Sequence, residues 1–328
     1  MLTVLKFGGS SLAGEEGLRR VADIVLAQRG PGRQLALVVS AMGESTDELI
    51  DMVHKISPAP PRRELDALLA SGEQQSAALM AIVLSALGAP ALSLAGWQAG
   101  ILTTGEHGDA DISAVLPFRA AQALKEGYIP VVAGFQGLSP DGDISTLGRG
   151  GSDTTAVALS AALGAERCLI YSDVDGIYTA DPRILPAAKR LDTMDSRDML
   201  VLSRGGSQVL HAKSVELALR YGVEPELLSS FGSPGCTRLC VLPDRERPDF
   251  AGLTRSQDGE ELTIAGKACA ASMLPELKEL FDSWGIALYG AKPGEGYIRL
   301  KCPPEQQDYA LAVLHRRFFE QGGQNPDR

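Results

Sequence analysis

The chain has 328 residues, 45% hydrophobic and 22% charged, with a formal net charge of −10. That length suits about two domains, and the acidic balance excludes a general electrostatic attraction to nucleic acid or to an anionic membrane surface. Of the five cysteines only Cys236 and Cys240 lie close together, with no histidine-rich segment beside them, so no zinc site is expected and a reduced, cytoplasmic setting fits best.

The opening run from Leu2 to Phe7 is short, apolar and stopped by Gly8-Gly9, the pattern of a buried strand and too short for a signal peptide or a membrane span. A helix is predicted from Glu15 to about Gln28, with Leu18, Val21, Ala22, Val25 and Leu26 along one face, ended by Gly30-Pro31-Gly32. Leu35–Val39 is the next strand, nearly all apolar, as a parallel strand covered on both faces requires. Thr46 is placed as the N-cap of a helix reaching His54. After Pro58, Pro60 and Pro61 a pair of helices is expected, the second from about Gln74 to Leu87. Strands follow at Pro90–Leu94 and Ile129–Ala133, then an Ala-rich helix to Leu163 capped by Ser152 or Asp153, and a strand at Arg167–Ser172. Helices at Arg197–Leu202 and Gln208–Tyr221 and a strand near Glu224–Ser229 complete the alternation. Such alternation predicts an α/β sandwich with a largely parallel central sheet.

Beyond a linker near Pro243–Pro248 the pattern changes. It reads strand (from Leu262), helix (Leu274–Trp284), strand (Ile286–Leu288), strand (Tyr297–Lys301), helix (Glu305–Phe319), the order of a small α+β module. The end, Gly322–Arg328, is polar and expected to fray. The two expected domains are 1–235 and 236–328.

Three glycine-rich stretches mark candidate chemistry. In Lys6-Phe7-Gly8-Gly9-Ser10-Ser11 a lysine ends a parallel strand, where such sheets bind ligands, and the glycines let backbone N–H groups approach a phosphate. A tight turn with a solvated lysine fits the same residues. In Gly148-Arg149-Gly150-Gly151-Ser152-Asp153 the glycines enter a helix, turning unpaired N–H groups toward an anion. There Arg149 could clamp a carboxylate, and Asp153 could receive an ammonium group or merely favour the helix N-terminus. In Ser172-Asp173-Val174-Asp175-Gly176-Ile177-Tyr178, continuing to Arg183, the start of a calcium loop is mimicked but its later ligands are missing. A nucleotide-facing turn accounts for it better, with Tyr178 near the base or ribose and Arg183 near phosphate. Neither a Walker A sequence nor Gly-x-Gly-x-x-Gly occurs.

Together with Val38–Met42, Ser71-Gly72-Glu73, Gly96–Ile101, Val131–Gly137, Val209-Leu210-His211 and Ser229-Ser230-Phe231, these stretches resemble the aspartokinases of the amino-acid kinase fold, nearly continuously from Leu2 to Gly235. The resemblance implies an αβα sandwich followed by an ACT-like module. It implies phosphorylation of the side-chain carboxylate of L-aspartate by ATP with Mg²⁺, in a cytoplasmic homodimer. By the same resemblance Lys6 stabilises the transferring phosphoryl group, with Arg149 and Asp153 the other catalytic residues. Ser40, Thr46, Glu73, Arg149 and Asp153 hold aspartate. Lys6, Gly8, Gly9, Ser172, Asp173, Tyr178, Arg183 and Gln208 line the nucleotide. No side chain is assigned to a metal, and no nucleic-acid or membrane partner is implied.

The chain departs from the family pattern in places. It has Ser10 where threonine is usual, and Gln208 and Ala212 where lysine and proline are general. Gln208 keeps a hydrogen-bond donor for phosphate but gives up the Coulombic part. Residues 236–328 suffice for about one ACT module where the family normally has two, and Gly266–Ser272 replaces the glycine-rich effector loop. Lysine and threonine are therefore not expected to inhibit. Two alternatives stay open: a kinase for another acidic amino acid or analogue, and a weakened relative that only senses an amino acid or nucleotide. His54, His107, His211 and His315 lack metal-ligand spacing and read as packing or solvated residues. The run Asp244-Arg245-Glu246-Arg247 reads as a solvated linker.

Overall fold

A strand with no polar alternation must be covered on both faces, and the apolar runs near the N-terminus end up so. The computed structural model describes residues 1–232 and 235–320; the stretch Gly322–Arg328 lies outside them. The chain divides into two units, Met1–Asp175 with Glu216–Cys236, and Gly176–Val215 with the chain from Thr237 onward. This differs from the sequence boundary at 235. Gly176–Val215 is part of the second unit because its apolar residues join that unit's core, as described below.

With elements numbered along the chain, the first unit's main sheet comprises β1 (Leu2–Phe7), β2 (Gln34–Val39), β3 (Ala91–Leu94), β6 (Ile129–Ala133), β9 (Arg167–Ser172) and β13 (Pro225–Ser229), in the order β13-β9-β1-β2-β6-β3. Each adjacent pair is parallel, with Lys6 opposite Val38 on one side and Ile170 on the other. A smaller sheet holds β4 (Ile101–Thr103), β5 (Ile112–Val115), β7 (Gln136–Leu138) and β8 (Ile144–Thr146), in the order β5-β4-β7-β8. None of these short, half-polar strands was anticipated from the sequence.

Helix α1 (Gly14–Gln28) buries Leu18, Val21, Ala22 and Val25 in a core shared with Leu5, Phe7, Leu37 and Val39. α2 (Ser45–Ile56) begins at Ser45, so Thr46 lies inside it and is not its cap; Glu44 holds the cap position, and Ser45 Oγ donates to the Met42 carbonyl at 2.6 Å. The expected pair of helices is one continuous helix, α3 (Arg62–Ala86). Gly72 does not break it. A Cβ there would lie 3.1 Å from that of Ala41, so the glycine permits close packing. α3 is long and apolar enough to cross a membrane by composition, with a mean hydropathy of 1.2, yet half of that stretch is buried inside the protein. α4 (Phe118–Lys125) precedes β6. α5 (Gly151–Leu163) is capped by Gly150, whose left-handed φ of +71° starts the helix before Ser152 and Asp153 can cap it.

In the second unit, β10 (Ile177–Tyr178) pairs with β11 (Arg190–Leu191), and β12 (Thr193–Asp195) runs parallel to β14 (Cys236–Cys240). α6 (Ser196–Arg204) is capped by Asp195, which accepts from the Arg197 N–H at 2.8 Å. α7 (Ala212–Tyr221) starts after Gln208, which remains in the preceding loop. The C-terminal module has four antiparallel strands, β15 (Gly252–Arg255), β16 (Glu261–Ala265), β17 (Gly290–Gly294) and β18 (Tyr297–Lys301), in the order β15-β16-β18-β17, with α8 (Leu274–Ser283) and α9 (Gln307–His315). Leu262, Ile264, Ile298 and Leu300 pack with Leu277, Phe281, Leu311 and Leu314, and Ala180, Ile184, Leu185 and Ala188 join them.

The expected strand at Ile286–Leu288 is displaced to Gly290. Gly285 is left-handed, and the Ile286 N–H returns to the Phe281 carbonyl at 2.9 Å, so this apolar residue closes α8 in a Schellman arrangement. The run at 244–247 is also more than a solvated linker. Arg247 pairs with the fully buried Asp198, its Nε donating to Oδ2 at 3.0 Å, and Asp244 accepts from Arg197. Removing one member of such a buried pair costs about 3–5 kcal/mol in general.

Candidate active site

Parallel strands deliver all their carboxyl ends to one edge, where doubly covered sheets bind ligands. At that edge the loops are tied together by backbone bonds. The Gly8 N–H donates to Tyr171 O (3.3 Å), the Ser40 N–H to Phe7 O (3.1 Å), the Gly43 N–H to Gly9 O (2.9 Å) and the Gly134 N–H to Val39 O (3.0 Å). Gly9 is helical in φ and ψ, so conformational freedom is not its reason for being there. A Cβ on it would meet the Ala41 carbonyl oxygen at 2.6 Å. Only glycine lets these two loops close to that distance.

Lys6 projects from the end of β1 and is buried, with Nζ 2.6 Å from Asp153 Oδ1 in the first turn of α5. The two form a buried ion pair. Arg149 precedes the same helix turn, between the left-handed Gly148 and Gly150, and is exposed. Among the described residues it makes no ion pair. Lys6 and Arg149 are thus brought to one end of α5.

Glu73 is buried on α3, where its Oε1 accepts from the Ala41 N–H at 3.2 Å while Oε2 is buried without a partner among the described residues. Burial pushes its carboxyl up to about 7, against the opposing pull of the Ala41 N–H. Ser40 is half-buried at the end of β2, and Thr46 is half-buried in the first turn of α2.

A chain of hydroxyls braces the edge. Ser11 Oγ lies 2.7 Å from Ser230 Oγ, which in turn donates to Ser172 O at 3.2 Å, linking the ends of β1, β13 and β9. Arg20 donates to Ser11 O at 3.2 Å, and its guanidinium lies 4.3 Å from the centre of the Phe231 ring. Ser172 Oγ donates to the exposed Asp173 carboxylate at 2.9 Å.

The remaining sequence candidates, Tyr178, Arg183 and Gln208, belong to the second unit. Tyr178 is half-buried on β10, and Gln208 is exposed. Arg183 is held by Asp181 through Nε (3.0 Å) and Nη2 (2.8 Å), with its side chain 72% exposed. That pairing holds the Asp181 carboxyl below its usual range.

Two residues escaped the sequence reading. Phe135 has a φ of +68°, an outlying conformation for a bulky residue that costs on the order of 1–3 kcal/mol. It is held by bonds from its N–H to Thr155 Oγ1 (3.2 Å) and from the Leu147 N–H to its carbonyl (2.9 Å). A Cβ on Gly151 would fall 2.9 Å from its ring, so Phe135 is seated against the start of α5. No signal in the sequence marks it.

The second is Asp66, almost wholly buried on α3. It accepts from Thr146 N (3.1 Å), Thr146 Oγ1 (2.6 Å) and Gly108 N (3.0 Å), and lies 2.9 Å from His107 Nδ1. It fixes the end of β8, from which the chain runs directly into Gly148-Arg149-Gly150. Asp66 did carry a signal: it is an acid on the same helix face as the buried Leu69, Ala70, Glu73, Ala77 and Met80.

The fold and these residues define the class. A profile described as the amino acid kinase family matches residues 1–225. The aspartokinase of Corynebacterium glutamicum is 50% identical over 326 residues, 96% of this chain and 77% of that protein. The aspartokinase of Mycobacterium bovis is 48% identical over 269 residues, 81% of this chain, and the match spans 64% of the length of that relative. Among solved structures, Escherichia coli aspartokinase III in complex with lysine and aspartate, in its T-state, superposes with a TM-score of 0.68 at 26% identity, covering 92% of this chain and 79% of the other. The chain belongs to the amino acid kinase family and, within it, to the aspartokinases.

Asp66→Ala leaves the buried Thr146 N–H without its acceptor, at a cost of about 1–3 kcal/mol, and releases the N–H of the exposed Gly108. Hydrogen exchange at residues 147–152 is expected to accelerate more than in the main sheet. An unchanged rate at those residues would show that other contacts hold the Arg149 segment.

Proposed function

We propose that this chain transfers the terminal phosphoryl group of ATP to the side-chain carboxylate of L-aspartate, giving 4-phospho-L-aspartate and ADP. The observation that supports this best is the buried Lys6–Asp153 contact at the carboxyl edge of the sheet, one helix turn from Arg149, which makes no ion pair among the described residues. We assign residues 1–235 to catalysis and 236–328 to an ACT-like module, in a cytoplasmic homodimer whose solution mass is the check on the last point.

A carboxylate is already a competent nucleophile, so no general base is required. What the protein must supply is alignment and charge neutralisation on the phosphoryl oxygens. Lys6 is the cation for the transferring group, and Gly8 and Gly9 line the phosphate loop, the Gly8 N–H being held by Tyr171 O. Arg149, planar and exposed, takes the α-carboxylate of aspartate. Glu73, with one oxygen buried and unpartnered, takes the α-ammonium; Asp153 shares it and orders Lys6. Ser40 and Thr46 complete the acceptor side. Ser172, Asp173, Tyr178, Arg183 and Gln208 are the nucleotide side.

Mg²⁺ spreads the charge of the ATP phosphates when bound. Among the described residues no group of three or more His, Cys, Asp or Glu could cage a metal.

A coupled ADP-release assay with aspartate, glutamate and N-acetylglutamate separates the readings. Turnover is expected with aspartate alone and without inhibition by millimolar lysine or threonine. Turnover with another acceptor reassigns the substrate, and nucleotide binding with no turnover supports the sensing reading that Gln208 favours. Inhibition by lysine or threonine would show that the Gly266–Ser272 turn, which buries Cys269, has been misread as unable to serve an effector.

In the same assay Lys6→Ala should lower kcat by about 10²–10³-fold, as expected for loss of one charge-stabilising group, with folding retained by circular dichroism. Near-normal kcat removes Lys6 from the mechanism.

The Glu73 carboxyl gives a pH dependence of definite sign. Its pKa is raised from 4.5 to about 7, so it is neutral below that range and an anion above it. An ammonium prefers the anion, so the KM for aspartate should fall as pH rises through about 7. The linked contribution to folding runs the other way, fully present below pH 4.5 and lost as pH rises through about 7. Glu73→Gln should abolish both slopes, and slopes that survive it belong to another group.

A further inference from the structure

His315, the last residue of α9, is fully buried, and its ring stacks on Phe319 with centroids 5.1 Å apart. Nε2 lies 2.9 Å from Thr179 Oγ1, and Nδ1 lies 3.0 Å from Glu320 Oε1. Thr179 directly follows Tyr178, and every polar group of Thr179 is engaged. Its N–H donates to Lys189 O (2.9 Å), its carbonyl accepts from the Leu253 N–H (2.8 Å), and Oγ1 accepts from the Lys189 N–H (2.9 Å). A carboxylate can only accept, so Nδ1–H donates to Glu320, and in the neutral ring this tautomer leaves Nε2 to accept from the Thr179 hydroxyl. Ala180, Ile184 and Leu185 then continue into the core of the C-terminal module. The segment assigned to the nucleotide is therefore folded as part of that module.

We infer that His315 is a positioning residue for nucleotide binding: through its bond to Thr179, the last helix of the C-terminal module sets the conformation of Tyr178–Arg183. This rests on the reading that Tyr178 and Arg183 face ATP. It gives the module a part in substrate binding that requires no effector.

The side chains offered by substitution separate the two ring nitrogens. A glutamine amide reaches the position of Nε2 and can keep the Thr179 bond, whereas an asparagine amide reaches only Nδ1 and keeps the bond to Glu320. Steady-state kinetics of His315→Gln, His315→Asn, Thr179→Val and Tyr178→Ala, each checked for a native melting transition, test the idea. His315→Asn and Thr179→Val should each raise the KM for ATP about three- to tenfold, the equivalent of one hydrogen bond, with the KM for aspartate unchanged. His315→Gln should retain the native KM for ATP.

If asparagine and glutamine behave alike, or if both KM values rise together, His315 only packs and the proposal is overturned. Should His315→Asn fail to fold, Thr179→Val, which leaves the imidazole and Glu320 in place, decides by the same KM split. If Tyr178→Ala raises the KM for ATP while the Thr179 and His315 changes do not, the nucleotide reading stands and the positioning role falls. If Tyr178→Ala has no effect either, the nucleotide assignment of this segment fails and the proposal with it.

Discussion

Lys6 and Asp153 are each expensive to bury alone, and the geometry of the carboxyl edge follows from keeping them together. An unpaired buried charge costs several kcal/mol, so a lysine at the end of an apolar strand demands an anion at close range. The first turn of α5 supplies one where the helix dipole already favours negative charge, by about 0.3–1 kcal/mol. For Asp153 to come within 2.6 Å of Nζ, α5 must begin abruptly and close to the sheet. The left-handed Gly148 and Gly150 give the abrupt start. Gly134, at which a Cβ would lie 2.8 Å from that of Ser152, gives the closeness. An ammonium has three donors, so Nζ keeps others for further oxygens while paired with Asp153. The interaction restrains the lysine without consuming it.

Much of this was legible before any coordinates. Continuous apolar runs such as Leu2–Phe7 and Ile129–Ala133 have no other stable home than a doubly covered sheet, and both strands have the bounds that the sequence implied. The glycine clusters at Lys6–Ser11 and Gly148–Asp153 stood out in the sequence for a related reason: they fall where loops touch, as the 2.6 Å approach of a Gly9 Cβ to the Ala41 carbonyl oxygen requires. The small sheet of β4, β5, β7 and β8 was not. Its strands are three or four residues long with polar residues between, so periodicity has too little length to register. Helix α3 was expected as a pair of helices, the second from about Gln74, and Gly72 lies inside the single helix. The reason for that glycine, contact with Ala41, is a tertiary one that no local window contains.

The two compact units divide the chain elsewhere than its composition does, for the same kind of reason. The composition shift near Pro243–Pro248 suggested a boundary there, but the core of the second unit draws Ala180, Ile184 and Leu185 from far upstream. Those residues follow the Asp173–Tyr178 turn directly. A sequence reader sees one motif, whereas the fold gives its first half to one unit and its second half to the other.

Glu73 carries a folding cost that its packing does not explain. A carboxyl whose pKa is pushed up to about 7 opposes the fold whenever it ionises, and evolution could have removed that cost with glutamine. Glutamine would hold the Ala41 N–H equally well through its carbonyl oxygen. What it could not do is attract an ammonium group. Retaining an acid with one buried, unpartnered oxygen is therefore difficult to explain by packing, and follows naturally if a cationic ligand neutralises it. Asp66, on the same helix face, makes the contrast: its carboxylate is saturated by Thr146, Gly108 and His107, and its work is finished once the chain has folded. Of two buried acids on one helix, the one with its oxygens filled builds the site and the one left short is available to bind.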